Sequence, residues 1–79
     1  MKIYILTMVN AWTELAYIQY FQTKEKAQSV MKSQLDEELQ YYDEEDEVQY
    51  EVGDTGAYLD DGEYDDREKY RWDITEMDI

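Results

Sequence analysis

From Ser33 to Asp66 the chain carries fifteen Asp and Glu side chains and not one Lys or Arg. The acids stand at 36, 37, 38, 43 to 47, 51, 54, 60, 61, 63, 65 and 66, so any fold that includes this stretch must anchor the backbone with what lies between them. An acidic segment poor in apolar residues stays unfolded, because it cannot offset the entropy of ordering. Here Tyr41, Tyr42, Tyr50, Tyr58 and Tyr64 interrupt the acids, and Val48, Val52 and Leu59 are spaced as strand residues. The pattern predicts an ordered anionic surface rather than a disordered tail.

The rest of the composition narrows the class. A chain of 79 residues is expected to form one domain, burying only about 60% of the surface its unfolded form exposes. A deep catalytic cleft is hard to build at that size. With 7 basic and 21 acidic side chains the formal charge is −14, so folding works against self-repulsion. Nucleic acid and anionic membranes are disfavoured as direct partners, and basic proteins are favoured. The chain has no Cys, which removes disulfides and thiolate metal sites and points to the cytosol. The opening MKIYILTMVNAWTELA has a Lys and a short apolar run, as a signal peptide would. That run is broken by Thr7 and Asn10 and alternates, so it reads as structure. No segment approaches the roughly 20 apolar residues of a membrane span.

Residues 2 to 9, KIYILTMV, have Ile3 and Ile5 on one face and Tyr4, Leu6 and Met8 on the other, the pattern of a central strand covered on both sides. Residues 16 to 22, AYIQYFQ, predict a second strand, hairpin-paired with the first. Thr23 is a candidate N-cap. A helix from Lys24 to about Tyr42 follows, with Ala27, Val30, Met31, Leu35, Leu39 and Tyr42 as its apolar stripe. Its cations, Lys24, Lys26 and Lys32, precede its anions, Asp36, Glu37 and Glu38, an order opposed to the helix dipole. Val48, Tyr50 and Val52 alternate as a third strand with one buried face. Gly53 to Gly56 reads as a turn or bulge after which Ala57 to Leu59 resume the strand. After a turn at 60 to 66, residues 68 to 75 alternate again, with Tyr70, Trp72 and Ile74 inward and Lys69, Arg71 and Asp73 outward. The expected fold is α+β, ββαββ, a four-stranded antiparallel sheet with one helix packed on one face. One helix leaves the other face open, and the exposed aromatics there mark an interface or are simply half-buried in a thin sheet.

Catalytic signatures are missing. There is no His to serve as a general base near neutral pH, Ser29 and Ser33 lack a partner base, and three glycines form no phosphate loop. Carboxylate pairs abound, but glycoside chemistry also needs a cleft to hold the sugar. Calcium loops fail on register. With Gly62 at the sixth position the preceding ligand positions are Ala57, Leu59 and Asp61, and with Gly56 there they are Glu51, Gly53 and Thr55. We expect no enzyme, cofactor or metal site.

A folded anionic surface could meet a positive one. Alternate strand residues stand about 6.6 Å apart and i,i+4 helix residues about 6 Å, comparable with the phosphate spacing of nucleic acid. In size, acidity, tyrosine content and element order the chain resembles small phage and mobile-element proteins, above all the acidic DNA mimics among anti-CRISPR and anti-restriction inhibitors. The resemblance rests on MKIYILTM, FQTKEKAQSVM, DEEDE and KYRWDI. It implies a non-enzymatic inhibitor in the bacterial host cytosol that occupies the basic groove of a nucleic-acid-binding protein, such as a CRISPR effector or restriction nuclease. The candidate partner-binding acids are Asp36, Glu37, Asp43, Glu44, Glu45, Asp46, Glu47, Glu51, Asp54, Asp60, Asp61, Glu63, Asp65 and Asp66. Tyr41, Tyr42, Tyr50, Tyr58 and Tyr64 are the candidate apolar contacts between them. The alternative is an interaction module or homodimer that uses the open sheet face, its acidity serving solubility.

Overall fold

Trp72, only 1% exposed, lies where one helix crosses the sheet, and the layers assemble around it. The computed structural model describes residues 1–13, 16–64 and 67–79. Its elements are β1 (Lys2–Asn10), β2 (Ala16–Phe21), α1 (Lys24–Leu39), β3 (Gln49–Val52), β4 (Gly56–Asp60) and β5 (Tyr70–Asp78). The strands form one sheet in the order β2-β1-β5-β4-β3, with every neighbouring pair antiparallel.

The fold is α+β, with five strands where four are expected from the sequence. The difference arises at Gly53 to Gly56. The Gly53 N–H donates to the Gly56 carbonyl at 2.7 Å and closes a hairpin, so residues 57 to 59 double back on the third strand instead of continuing it. Tyr50 then pairs with Leu59, and Val52 with Ala57. A bulge and a tight reversal share the same glycine-rich vocabulary, and only the pairing partner distinguishes them. β5 also runs past the predicted Thr75 to Asp78, because β1 pairs with it along the full length, Lys2 with Asp78 through Asn10 with Tyr70. Nothing in the alternation of Glu76, Met77 and Asp78 announces that partner.

α1 begins as expected, with the Thr23 hydroxyl accepting from the Lys26 N–H at 3.2 Å. It stops at Leu39 rather than Tyr42, the Tyr41 and Tyr42 N–H groups turning to carbonyls three residues back. Ala27, Met31 and Leu35 are its buried residues, with Val30 and Leu39 partly covered. They press on Leu6 of β1, Ala57 and Leu59 of β4, and Tyr70, Trp72 and Ile74 of β5. Each large apolar side chain removed from water here is worth roughly 1.5–3 kcal/mol. The indole N–H of Trp72 donates to Gln34 Oε1 at 2.9 Å, and Gln34 Nε2 in turn donates to Gln19 of β2. One helix side chain thus satisfies the core tryptophan and ties down the edge strand.

Two expectations about burial are corrected. β3 presents no buried face: its four residues are all exposed, since α1 lies over β1, β2, β4 and β5 and the strand stands at the far edge of the sheet. β1 is internal in the sheet but covered on one face only, so Ile3 and Ile5 are half-buried on the open side.

Replacing Gln34 by Leu removes the only acceptor shown for a buried indole N–H. We expect a loss of about 1–3 kcal/mol, while Q34E, which keeps a carbonyl-type oxygen in place, loses less. Urea unfolding followed by tryptophan fluorescence measures both.

Candidate acidic interface

The acids divide into those the fold consumes and those it leaves bare. Asp61 belongs to the first group. Its carboxylate lies 3.2 Å from the Lys69 ammonium, accepts the Tyr42 hydroxyl at 2.8 Å and accepts the Glu63 N–H at 3.0 Å. Lys69 also donates to the Tyr42 oxygen at 3.1 Å, lies 3.6 Å from Glu63, and sits 5.6 Å from the ring centres of both Trp12 and Tyr42. The Asp61 side chain is 10% exposed and that of Lys69 23%. Burial alone would push the Asp61 carboxyl up, but the Glu63 N–H, the Tyr42 hydroxyl and Lys69 outweigh it and hold it below the usual carboxylate range. Burial likewise opposes the charge on Lys69, and its bonds to Tyr42 and Asp61 overcome that and raise it above an ordinary lysine. The expectation that Lys69 faces outward is therefore corrected. It precedes β5, and its long stem folds back to join the 61–63 turn, the chain after α1 and the β1–β2 loop.

Asp54, at the tip of the β3–β4 hairpin, is exposed but also paired within the fold. Its carboxylate meets Lys24 at 2.5 Å and Gln28 at 2.7 Å, and the hydrogen bond from Lys24 lowers its pKa. This pins the hairpin to the first turns of α1. Two further cations pair within the sheet, Lys2 with Glu76 at 3.2 Å and Arg71 with Asp73 at 3.4 Å.

What remains is a bare anionic band. Asp36 and Glu37 are exposed on the last turns of α1, and Asp43, Glu44, Glu45, Asp46 and Glu47 are exposed on the connection to β3. None of the seven takes part in the ion pairs formed among the described residues. The connection is shaped by its own acids. The Asp43 N–H donates to the Asp46 carboxylate at 2.8 Å, the Asp46 N–H to the Asp43 carbonyl at 3.0 Å, and the Val48 N–H to the Asp46 carbonyl. Val48 then tucks against the core. Tyr41 and Tyr50, 79% and 55% exposed, flank the 43–47 run along the chain.

The other candidates are placed elsewhere. Glu51 and Tyr58 are paired across β3 and β4 on the open face of the sheet, whereas Tyr50 is on the helix side. Asp60 accepts the Gly62 N–H at 2.9 Å in a turn that needs the positive φ of Gly62, 78°. Glu63 is exposed near Lys69, and Tyr64 is half-buried. Asp65 and Asp66 lie outside the described residues. Tyr42 is a structural member of the Lys69 cluster rather than a bare contact. Among the described residues no group of three or more potential ligands converges to hold a metal ion, and no helix is long and apolar enough to cross a membrane. Sequence reasoning missed Lys69 and Trp12. No local signal singles out Lys69, since Arg67 and Arg71 flank it two residues away on either side.

No protein family, curated protein or solved structure compared with this chain matches it.

Lys69→Met keeps the apolar stem and strands Asp61. We expect a cost of about 1–3 kcal/mol in urea unfolding at neutral pH. Because the Asp61 pKa is lower folded than its unfolded value of 3.8, its contribution is complete above that value and vanishes as pH falls through the folded-state pKa. Asp61→Asn should therefore destabilise at pH 7 and converge on the parent as pH falls through the folded-state pKa of Asp61, and a constant gap between the two stability curves would contradict the pairing.

Proposed function

We propose that this chain is a non-enzymatic inhibitor of the anti-CRISPR or anti-restriction kind, acting in a bacterial cytosol. Its anionic band competes with nucleic acid for the basic groove of a nuclease or other nucleic-acid-binding protein. The observation that carries this reading is the segregation of charge. Lys2, Lys24, Lys69 and Arg71 are each held beside intramolecular carboxylates, while Asp36, Glu37 and the 43–47 run face solvent with no cation partner among the described ion pairs. Solubility requires net charge but not this sorting.

Form supports the same reading. The molecule measures 45 × 23 × 16 Å, and its long dimension corresponds to about thirteen nucleotide steps at roughly 3.4 Å each. The carboxylates of α1 and of the turn stapled by Asp46 ride on ordered backbone, so little entropy is lost on placing them against a row of Arg and Lys side chains. Tyr41 and Tyr50 would add apolar contact between the charges, as aromatic side chains do at interface cores. The groups that remain for the partner are Asp36, Glu37, Asp43 to Glu47, Tyr41 and Tyr50, with Glu51 and Asp60 at the margin.

Capture on the immobilised protein from a bacterial lysate, with and without competitor DNA, tests the reading. A basic nucleic-acid-binding protein that DNA displaces is the expected result. Its affinity should fall steeply with salt. The combined substitution E44Q, E45Q, D46N and E47Q leaves an acceptor oxygen at position 46 for the Asp43 N–H and should weaken binding at least about tenfold, chiefly through a slower association rate. Binding indifferent to salt and to these four changes would make the run a solvated surface only.

A further inference from the structure

On the sheet face away from α1 lies an uncharged apolar patch, and we infer that a second copy of this chain covers it. The residues follow from the register. With Leu6 turned to the helix, Ile3, Ile5, Thr7 and Val9 of β1 face the other way, beside Ile18 and Tyr20 of β2 and Thr75 and Met77 of β5. Val9 is 39% exposed, Ile18 53%, Tyr20 67% and Met77 46%. With full side-chain areas of about 150–250 Å², these four alone bare roughly 400 Å² of largely apolar surface, within the range of about 300–600 Å² of the largest patch on a monomer, which is often functional.

Charge distribution selects the occupant. β1 and β2 together carry a single charged residue, Lys2 at the margin, in a chain of formal charge −14. The nearest charges on the β5 side, Arg71 and Asp73, pair with each other at 3.4 Å. The sheet order places this neutral edge opposite the acid-flanked β3, about 19 Å away at four inter-strand spacings. Two copies related by a two-fold axis parallel to the strands, overlapping at β1, β2 and the Met77 end of β5, bring apolar patch against apolar patch and send the anionic ends in opposite directions. Those ends are then separated by several Debye lengths of about 8 Å at physiological ionic strength. Complete overlap of the faces would set Glu51, Asp60 and Asp73 of one copy over the other, so the offset arrangement is the favoured one. A basic partner has no anion to meet on this patch, and an acidic partner gains nothing from the neighbouring anionic band. Including the half-buried Ile3 and Ile5, the contact reaches about 1,000 Å² over both copies, the lower limit for a specific interface. The dimer is accordingly weak and reversible. It is independent of the inhibitor reading and uses none of its residues.

Sedimentation equilibrium of the full chain over a wide concentration range, at low and high salt, decides it. The expected mass rises from one chain to two, and salt strengthens the association by screening the repulsion between two anionic proteins, the opposite of its effect on an ion-paired complex. Ile18→Thr with Tyr20→Thr, which place strand-compatible β-branched side chains at exposed positions, should weaken the dimer at least about tenfold. Ile18→Glu should abolish it, and the quadruple substitution in the 43–47 run should leave it intact or slightly tighter. Hydrogen exchange on the parent provides a check that needs no variant, since amides of β2 should gain protection as concentration rises. A parent that remains a single chain at every concentration in high salt would overturn the inference. So would a dimer untouched by the threonine pair, or protection of β2 that appears only on adding some other protein or a lipid vesicle.

Discussion

A sixteen-residue helix lying over a five-stranded sheet cannot cover it, and most of what distinguishes this protein follows from that mismatch. α1 seals β1, β4 and β5 around Trp72 and reaches β2 through Gln34 and Gln19, leaving β3 and the whole opposite face to solvent. A second helix would have buried Ile3, Ile5 and Ile18 in a conventional three-layer core. With one helix they stay half-buried or exposed, and the uncharged half of the open face is left without cover.

The same economy explains how a chain of charge −14 folds. Two of its seven cations sit where segments must be joined. Lys69 gathers the 61–63 turn, the chain after α1 and the loop bearing Trp12, and Lys24 with Gln28 holds the β3–β4 hairpin to the helix. The partly buried Lys69–Asp61 pair offsets the desolvation of its charges with several hydrogen bonds at once. Their side effect is electrostatic. Positive charge spent on intramolecular joints leaves the last turns of α1 and the 43–47 connection uncompensated, against the preference of a helix C-terminus for cations. The Tyr70 phenol illustrates the local field, pushed up by burial and then by the Glu38 carboxylate bonded to it.

Much of this was legible in the chain. The hairpin of the first two strands, the Thr23 cap, the buried sides of Ala27, Met31, Leu35, Trp72 and Ile74, and an ordered acidic segment all follow from period and residue type, because these are local consequences of burial geometry. The misreadings share one cause. Whether Gly53 to Gly56 bulges or reverses, whether β5 continues through Met77, whether Val48 to Val52 hides a face, and where Lys69 points all depend on a partner distant in sequence. The nineteen-residue candidate surface was likewise a statement about composition. Asp61 and Tyr42 are taken up inside the fold, Asp54 is paired to the helix at the surface, and Glu51 and Tyr58 lie on a different face from Tyr50.

The sequence by itself determined the inventory and the periodicities: an excess of carboxylates, the absence of His and Cys, one amphipathic helix and strands with an apolar side. Tertiary structure decided which carboxylates remain bare and which apolar side chains go uncovered. Net charge is a sum over residues and needs no fold, whereas neutralisation and burial are relations between groups brought together from distant parts of the chain, as Lys24 meets Asp54 and Leu6 meets Ile74.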